Sequence, residues 1–185
     1  MDTLDLNEVN SIKEYIEKSI DDVSSISDDI VKGYTENLDS LMRYIKEDVI
    51  DNDNVPDSVL ENYFMQLTNA MYFIGSKSEF LGLYEDFAKS NCKIKYNEAY
   101  SENQVQSALV GKKTTVDDNR LYAENKSINE AIVNAIYSRS FRIVKSKVDS
   151  ANEMIKTLSK IISKRMNDKD YSDRFNSEGD MNEFR

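Results

Sequence analysis

The stretch INEAIVNAIYSRSFRIVKSKVDSANEMIKTLSKIISKR, residues 128–165, decides the fold. Its apolar residues recur mostly every three or four positions, which is the period of one face of an α-helix. They are Ile128, Ile132, Ile136, Ile143, Val148, Ala151, Ile155, Leu158 and Ile162. A helix is therefore predicted over about 116–168, and Thr115 with Asp118 three residues later forms a plausible helix start.

A first apolar stripe, between Val9 and Val49, also has the helical period. Within it, Asp21-Asp22 and Ser24-Ser25 followed by Ser27-Asp28-Asp29 resemble a second helix start. Two helices are therefore expected, at about 6–21 and 27–50, although one continuous helix also fits the spacing.

The middle of the chain is divided by two polar segments. DNDNVPD, residues 51–57, holds the only proline and marks the main boundary. One long helix is predicted over 57–100, because apolar residues again recur at helical spacing. Residues 101–115 lose this period, contain Gly111, and are predicted to form a connecting loop.

These elements predict an all-α fold, a long antiparallel helical hairpin with one or two N-terminal helices packed against it. The expected parts are an acidic N-terminal helical extension (1–56), the long helical hairpin (57–168) and a flexible tail (169–185). Two helices alone bury little apolar surface, so a homo-oligomer is predicted. A monomeric bundle of three or four helices is equally compatible with the spacing.

The composition argues against an enzyme. There is no histidine, and Cys92 is the only cysteine, which removes the usual general base, the commonest metal ligand and any internal disulfide. No catalytic, metal or cofactor site is predicted. The first residues do not form a signal peptide pattern, and no apolar run reaches membrane-spanning length. We expect a cytoplasmic protein of a bacterial or phage-infected cell, without membrane contact.

The charge is distributed unevenly along the chain. Residues 1–61 carry 17 acidic and 5 basic residues, whereas residues 139–165 carry 2 acidic and 8 basic ones. On a helix Arg142, Lys145, Lys156, Lys160 and Lys164 share the face opposite the apolar stripe. Such a basic ridge can track a phosphate backbone. It also fits a solvated face, or a docking surface for the acidic N-terminal helices.

Two further cations, Lys147 and Arg165, project toward the apolar side of the same helix. Their stems either reach along the apolar surface to water or meet carboxylates across a helix–helix interface. Four tyrosines near the loop and the ridge could stack unpaired bases, although helical spacing is more typical of core residues. They are Tyr96, Tyr100, Tyr122 and Tyr137.

The layout of about residues 60–168 resembles the UvsY-type recombination mediators of bacteriophages. The long helix NYFMQLTNAMYFIGSKSEFLGLYEDFAKSNCKIKYNEAY (62–100) is followed by the polar loop segment GKKTTVDD (111–118). The helix that comes next carries YSRSFRIVKSKVDSANEMIKTLSKIISKRM (137–166). No catalytic signature belongs to this family, so the similarity is one of element order and length. The acidic extension and the acidic total charge depart from the family pattern.

The resemblance implies a protein that binds single-stranded DNA and helps a strand-exchange recombinase displace a single-strand-binding protein, as a ring-like homo-oligomer. The residues that would bind DNA are Lys112, Lys113, Arg139, Arg142, Lys145, Lys156, Lys160, Lys164 and Arg165. The acidic extension would then mask the ridge until a partner or DNA displaces it. Two other functions stay open: a helical structural or adaptor protein acting through protein contacts, and an acidic inhibitor that mimics nucleic acid.

Overall fold

The computed structural model describes residues 6–50, 52 and 55–180, except for the side chains of 6–13, 15–16, 19, 50 and 172–180. Within this part of the chain the secondary structure is helical, without β-strands, as the all-α prediction required. Four α-helices follow one another: α1 (Leu6–Ile45), α2 (Asp57–Leu109), α3 (Val116–Lys126) and α4 (Ile128–Asp180). A π-helical turn, Lys46–Ile50, extends the end of α1.

The helix α1 is continuous, so the prediction of two helices was wrong. The polar residues 24–29 do not cap a second helix. Instead the Ser27 side chain is fully buried, and its hydroxyl lies 2.9 Å from the hydroxyl of Ser140 on α4. Serine can either cap a helix or form a buried side-chain hydrogen bond, so Ser27 resembles a cap in the sequence. The packing of α4 against it distinguishes the two roles.

The helix α2 starts at Asp57 as predicted, but continues nine residues beyond the predicted end at 100. The backbone then turns at Gly111, whose φ is +70°, a left-handed conformation that glycine adopts without a steric penalty. Backbone N–H groups of Gly111 and Lys112 bond back to the carbonyls of Ala108 and Ser107. This is a Schellman-type helix end, and the connecting loop is accordingly short.

The predicted helix 116–168 is two helices, because the chain breaks at Ser127 between α3 and α4. At Ser127 the backbone leaves the helical conformation, with φ −102° and ψ 12°, and α3 ends there. The buried Ser127 hydroxyl joins its own N–H in bonding to the carbonyl of Ala123, four residues earlier. The predicted start is confirmed: Thr115 and Asp118 form a reciprocal capping box at the head of α3.

The tail prediction was also wrong for residues 169–180, which continue α4. Lys169 bonds to Asp57, and this contact helps to explain why the helix does not end where the apolar period fades. Residues 181–185 of the predicted tail, and Asp51, Asp53 and Asn54 of the predicted breaker, lie outside the described residues.

The chain forms two compact units, and α1, α2 and α4 each contribute to both. Unit 2 comprises Thr35–Ser76 and Ser146–Arg185. In this unit α2 runs antiparallel to α4, since Asp57 at the start of α2 contacts Arg165 and Lys169. Aliphatic side chains from three helices fill its core: Leu38, Leu41, Ile45, Leu60, Leu67, Ile74, Ala151 and Leu158, together with Val55 of the linker.

Unit 1 comprises Met1–Tyr34 and Lys77–Lys145. The helices α2 and α4 are antiparallel here too, since Glu85 accepts a 2.9 Å hydrogen bond from Ser138. Small residues make up much of the buried set, which lets helices approach closely. This set is Ser27, Val31, Leu81, Ala88, Ala99, Ser107, Asn119, Ala123, Ser127, Ile136, Ser140 and Val144. Several large apolar residues of unit 1 are exposed instead.

Candidate nucleic-acid interface

The buried stripe of α4 fixes which of its cations reach solvent. Val144, Ala151 and Leu158, seven residues apart, have no exposed surface. At about 100° per residue, side chains two positions away from these residues point to the opposite side of the helix. Arg142 and Lys160 occupy two such positions, and both are exposed.

In unit 1 the structure brings Arg142 and Lys145 together, three residues apart on α4. Both are exposed, and neither has a hydrogen bond or ion pair within the described part of the chain. Arg139 differs, because its guanidinium lies 3.7 Å from the carboxylate of Asp28 on α1. Its Nε atom is buried without a partner. Arg139 is therefore partly committed to packing α1 against α4.

In unit 2 the cations Lys156, Lys160 and Lys164 follow one another at intervals of four residues. Lys156 donates a 2.6 Å hydrogen bond to Glu153, one turn earlier on the same helix. This bond, with a smaller contribution from Lys160, lowers the pKa of the Glu153 carboxyl. Lys160 and Lys164 are exposed and have no such partner among the described residues, so these two cations of α4 are available to a ligand.

Arg165 makes polar contacts within unit 2. Its guanidinium donates to the backbone carbonyl of Val55 and, at 3.1 Å, to the carboxylate of Asp57. Lys169 donates to the other oxygen of the same carboxylate. Hydrogen bonds from Lys169 and Arg165 hold the pKa of Asp57 below its ordinary value. Arg165 thus ties the linker before α2 to the last third of α4.

Lys147 likewise contacts a carboxylate across a helix–helix interface, which is one of the two alternatives that the sequence left open for this side chain. Its ammonium lies 2.5 Å from Asp39 and 3.2 Å from the hydroxyl of Thr35, both on α1. Acidic residues of α1 therefore do bind cations of α4, at Arg139 in unit 1 and at Lys147 in unit 2. The four exposed cations described above are not among those pairs.

The loop lysines Lys112 and Lys113 lie side by side between α2 and α3. They line a surface cavity of about 430 Å³ together with Gln104, Ala108, Gly111, Thr114 and Asn119. The first turn of α3 is already capped, because Thr115 donates to and accepts from Asp118. The bonds from Thr115, and the nearby Lys112, lower the pKa of the Asp118 carboxyl. Both lysines are exposed, and they form a small basic site beside this carboxylate.

The four tyrosines that the sequence singled out are half-buried. Tyr96 and Tyr100 stack on each other at 6.4 Å, and Tyr137 stacks on Tyr84 at 5.6 Å. Tyr122 lies beneath the ammonium of Lys126. These rings mainly contact other side chains of unit 1, which favours the packing interpretation for them.

The sequence reading missed an exposed apolar stripe on α2. Leu83, Phe87 and Ile94 are 62%, 79% and 51% exposed. The available signal was the seven-residue spacing of phenylalanines 73, 80 and 87, each of which comes one position before a buried residue of α2.

The described residues contain no group of three or more histidine, cysteine or acidic side chains placed to hold a metal ion. None of the helices, as far as the structure describes them, combines the length and the apolar character needed to cross a membrane. No protein-family model, no curated protein and no solved structure matches this chain.

Proposed function

We propose that this protein is a DNA-recombination accessory protein that binds single-stranded DNA and helps to load a recombinase. The observation that carries the proposal is the set of exposed cations of α4 that have no hydrogen bond or ion pair with the described residues: Arg142, Lys145, Lys160 and Lys164. They persist in a chain whose net charge is −10. The resemblance to UvsY-type mediators supplies the class of activity, and a recombinase or a single-strand-binding protein as partner.

The structure narrows the DNA-binding set that the resemblance implied. Arg165 is engaged by Val55 and Asp57, Arg139 by Asp28, and Lys156 by Glu153. The unpaired cations are the better candidates, because a phosphate that binds a paired cation must first replace its carboxylate. Lys112 and Lys113 form a second, smaller basic site for the same ligand.

The test is fluorescence anisotropy of a labelled single-stranded oligonucleotide at low and moderate salt, with duplex DNA as the specificity control. Lys160→Gln together with Lys164→Gln should weaken binding and flatten its salt dependence, because each lost phosphate contact removes about 0.7 from the slope for single strands. The matched control is Arg120→Gln, an exposed cation outside the proposed set that pairs with Glu124. Absence of binding at low salt would overturn the proposal.

A second function, a helical adaptor that acts through protein contacts, is favoured by the exposed stripe of Leu83, Phe87 and Ile94. Large apolar side chains spaced four and seven residues apart suit the seam of a helix–helix contact. The same stripe would serve the predicted homo-oligomer. Oligomerisation without affinity for DNA would favour the adaptor over the accessory protein.

A further inference from the structure

A cleft in unit 1 has aromatic side chains on both of its sides. It lies between α1 and α2, and its lining residues are Gly33, Tyr34, Lys77, Phe80 and Tyr84. Its volume of about 330 Å³ is near the lower end of the roughly 300–1,000 Å³ that small-ligand sites occupy. A planar ring system the size of a nucleobase is a suitable occupant.

The rings that line the cleft are only partly used by the fold. Tyr84 stacks nearly parallel on Tyr137, at an interplanar angle of 16°, yet 54% of Tyr84 remains exposed. Phe80, one turn earlier on α2, is 62% exposed. Aromatic faces left in water at a concave site can stack with a further ring.

Tyr34 closes the cleft from the α1 side. Partial burial, and to a lesser degree the neighbouring Tyr84 and Tyr137, raise the pKa of its hydroxyl. A phenol is neutral at physiological pH at its ordinary pKa near 10, and the raised pKa keeps it so. A neutral wall suits an uncharged ring better than an anionic one.

The absence of a side chain at Gly33 keeps the cleft open. A Cβ added there would meet no atom within 4 Å. Glycine is less favourable than alanine inside a helix by roughly 1 kcal/mol. The packing around Gly33 leaves room for a Cβ, so it does not explain why a glycine stands at this position of α1.

Lys77 supplies a charge at the edge of the cleft. It is exposed and has no hydrogen bond or ion pair with any of the residues that the structure describes. An ammonium beside an aromatic cleft matches a ligand with a planar ring and an adjacent anionic group. A nucleotide of an unpaired strand has both, and its phosphate is joined to the base through a flexible sugar.

We propose that this cleft binds one unpaired nucleotide of single-stranded DNA, with the base stacked between Tyr34, Phe80 and Tyr84 and its phosphate on Lys77. The proposal rests on the proposed function and adds a base contact to the phosphate contacts of α4. Because a ring stacks without reading base edges, binding here is tolerant of sequence.

The experiment compares two labelled oligonucleotides of equal length by anisotropy, oligo-dT and an abasic strand with the same number of phosphates. The wild-type chain should prefer oligo-dT by roughly 5- to 150-fold, the range for one stacked base. Gly33→Leu fills the cleft with a strong helix former, so it should abolish the preference without weakening α1. Phe80→Ala should reduce the preference too. Gly33→Ala, which leaves most of the volume open, is the matched control and should retain it.

The outcomes separate this proposal from the function on which it rests. Equal, salt-dependent affinity of the wild-type chain for both strands would overturn the cleft proposal and leave phosphate-based DNA binding intact. Undiminished preference in Gly33→Leu would also overturn it, because stacking would then occur elsewhere. An undiminished preference in Gly33→Leu, or equal affinity of the wild-type chain for both strands, is expected if the cleft binds a side chain of a partner protein instead of a nucleotide. Absence of binding to either strand would overturn both proposals.

Discussion

Ser27 and Ser140 form a buried polar contact between α1 and α4. Each hydroxyl is fully buried, and they lie 2.9 Å apart on different helices. The Ser140 hydroxyl also donates to the carbonyl of Ile136 on its own helix, whereas Ser140 is the partner of the Ser27 hydroxyl across the interface. A buried polar group is costly without a partner, so Ser140 makes the burial of Ser27 acceptable.

This pairing predicts non-additive effects of substitution. Ser140→Ala should lower the free energy of unfolding by about 1–3 kcal/mol, because the Ser27 hydroxyl loses its partner on α4. Removing both hydroxyls should cost less than the two single changes together. Urea unfolding of the four proteins measures this, and strict additivity would show that the two hydroxyls do not interact.

Asp57 predicts a pH dependence of stability. Its pKa is lowered by hydrogen bonds from Lys169 and Arg165, so the folded chain binds a proton less readily than the unfolded chain. The stabilisation is therefore present above the unfolded-state pKa, near 3.8, and is lost as pH falls through the lower folded-state value. Asp57→Asn should destabilise the protein at neutral pH, and the difference from wild type should shrink in acid. Thermal melts across this range test it, and a constant difference would contradict it.

At the scale of elements, the sequence specified the helix starts better than the helix ends. The capping box at Thr115 and the Pro56 boundary are local signals, and both were read correctly. The break at Ser127 was not predicted, since the apolar period continues through it. The unbroken α1 was not predicted either, because Ser27 is buried against a neighbouring helix instead of capping one. The apolar period of one helix does not show where a neighbouring helix packs against it.

The capping box itself is testable. Thr115→Ala should destabilise the protein by about 1 kcal/mol, since α3 loses the side-chain acceptor for the Asp118 N–H. Thr114→Ala, next to it in the loop, is the control and should have little effect. Hydrogen exchange at the first amides of α3 would localise the change, and equal effects of both substitutions would argue against the capping role.

The helix glycines predict opposite responses to one added methyl group. At Gly33 a Cβ meets nothing within 4 Å, so Gly33→Ala should raise stability by up to about 1 kcal/mol through helix propensity alone. At Gly82 the new Cβ would lie 3.2 Å from the ring of Phe141, so that gain should be reduced or reversed. Chemical denaturation of the two variants measures the contrast, and equal gains would show that Phe141 yields freely.

At the scale of the whole molecule, the charge asymmetry read from the sequence proved only partly informative. It correctly indicated an acidic α1 that contacts basic α4, at Asp28–Arg139 and Asp39–Lys147. It could not indicate which cations stay free, because pairing depends on the register between helices. For the same reason the basic face of α4 could be listed from the sequence, whereas the cleft of unit 1 could not.

That asymmetry predicts how the acidic helix α1 affects DNA binding. Leu38 and Ile45 of this helix are fully buried in unit 2, so deleting residues 1–56 would disturb folding and charge together. Substituting the exposed acids Asp21, Asp22, Asp29 and Glu36 by their amides changes the charge alone. We expect tighter binding of single-stranded DNA at low salt, because long-range repulsion between α1 and the phosphates is reduced.

Salt separates this repulsion from direct contacts. At about 1 M salt the Debye length is near 3 Å, so a variant that acts only through long-range repulsion should bind like the wild-type chain. Anisotropy titrations of both proteins from low to high salt should therefore converge. If the amide variant stays tighter at high salt, α1 blocks a binding surface directly and must be displaced. If the two proteins bind equally at every salt concentration, the acidic helix has no part in controlling access to the basic face of α4.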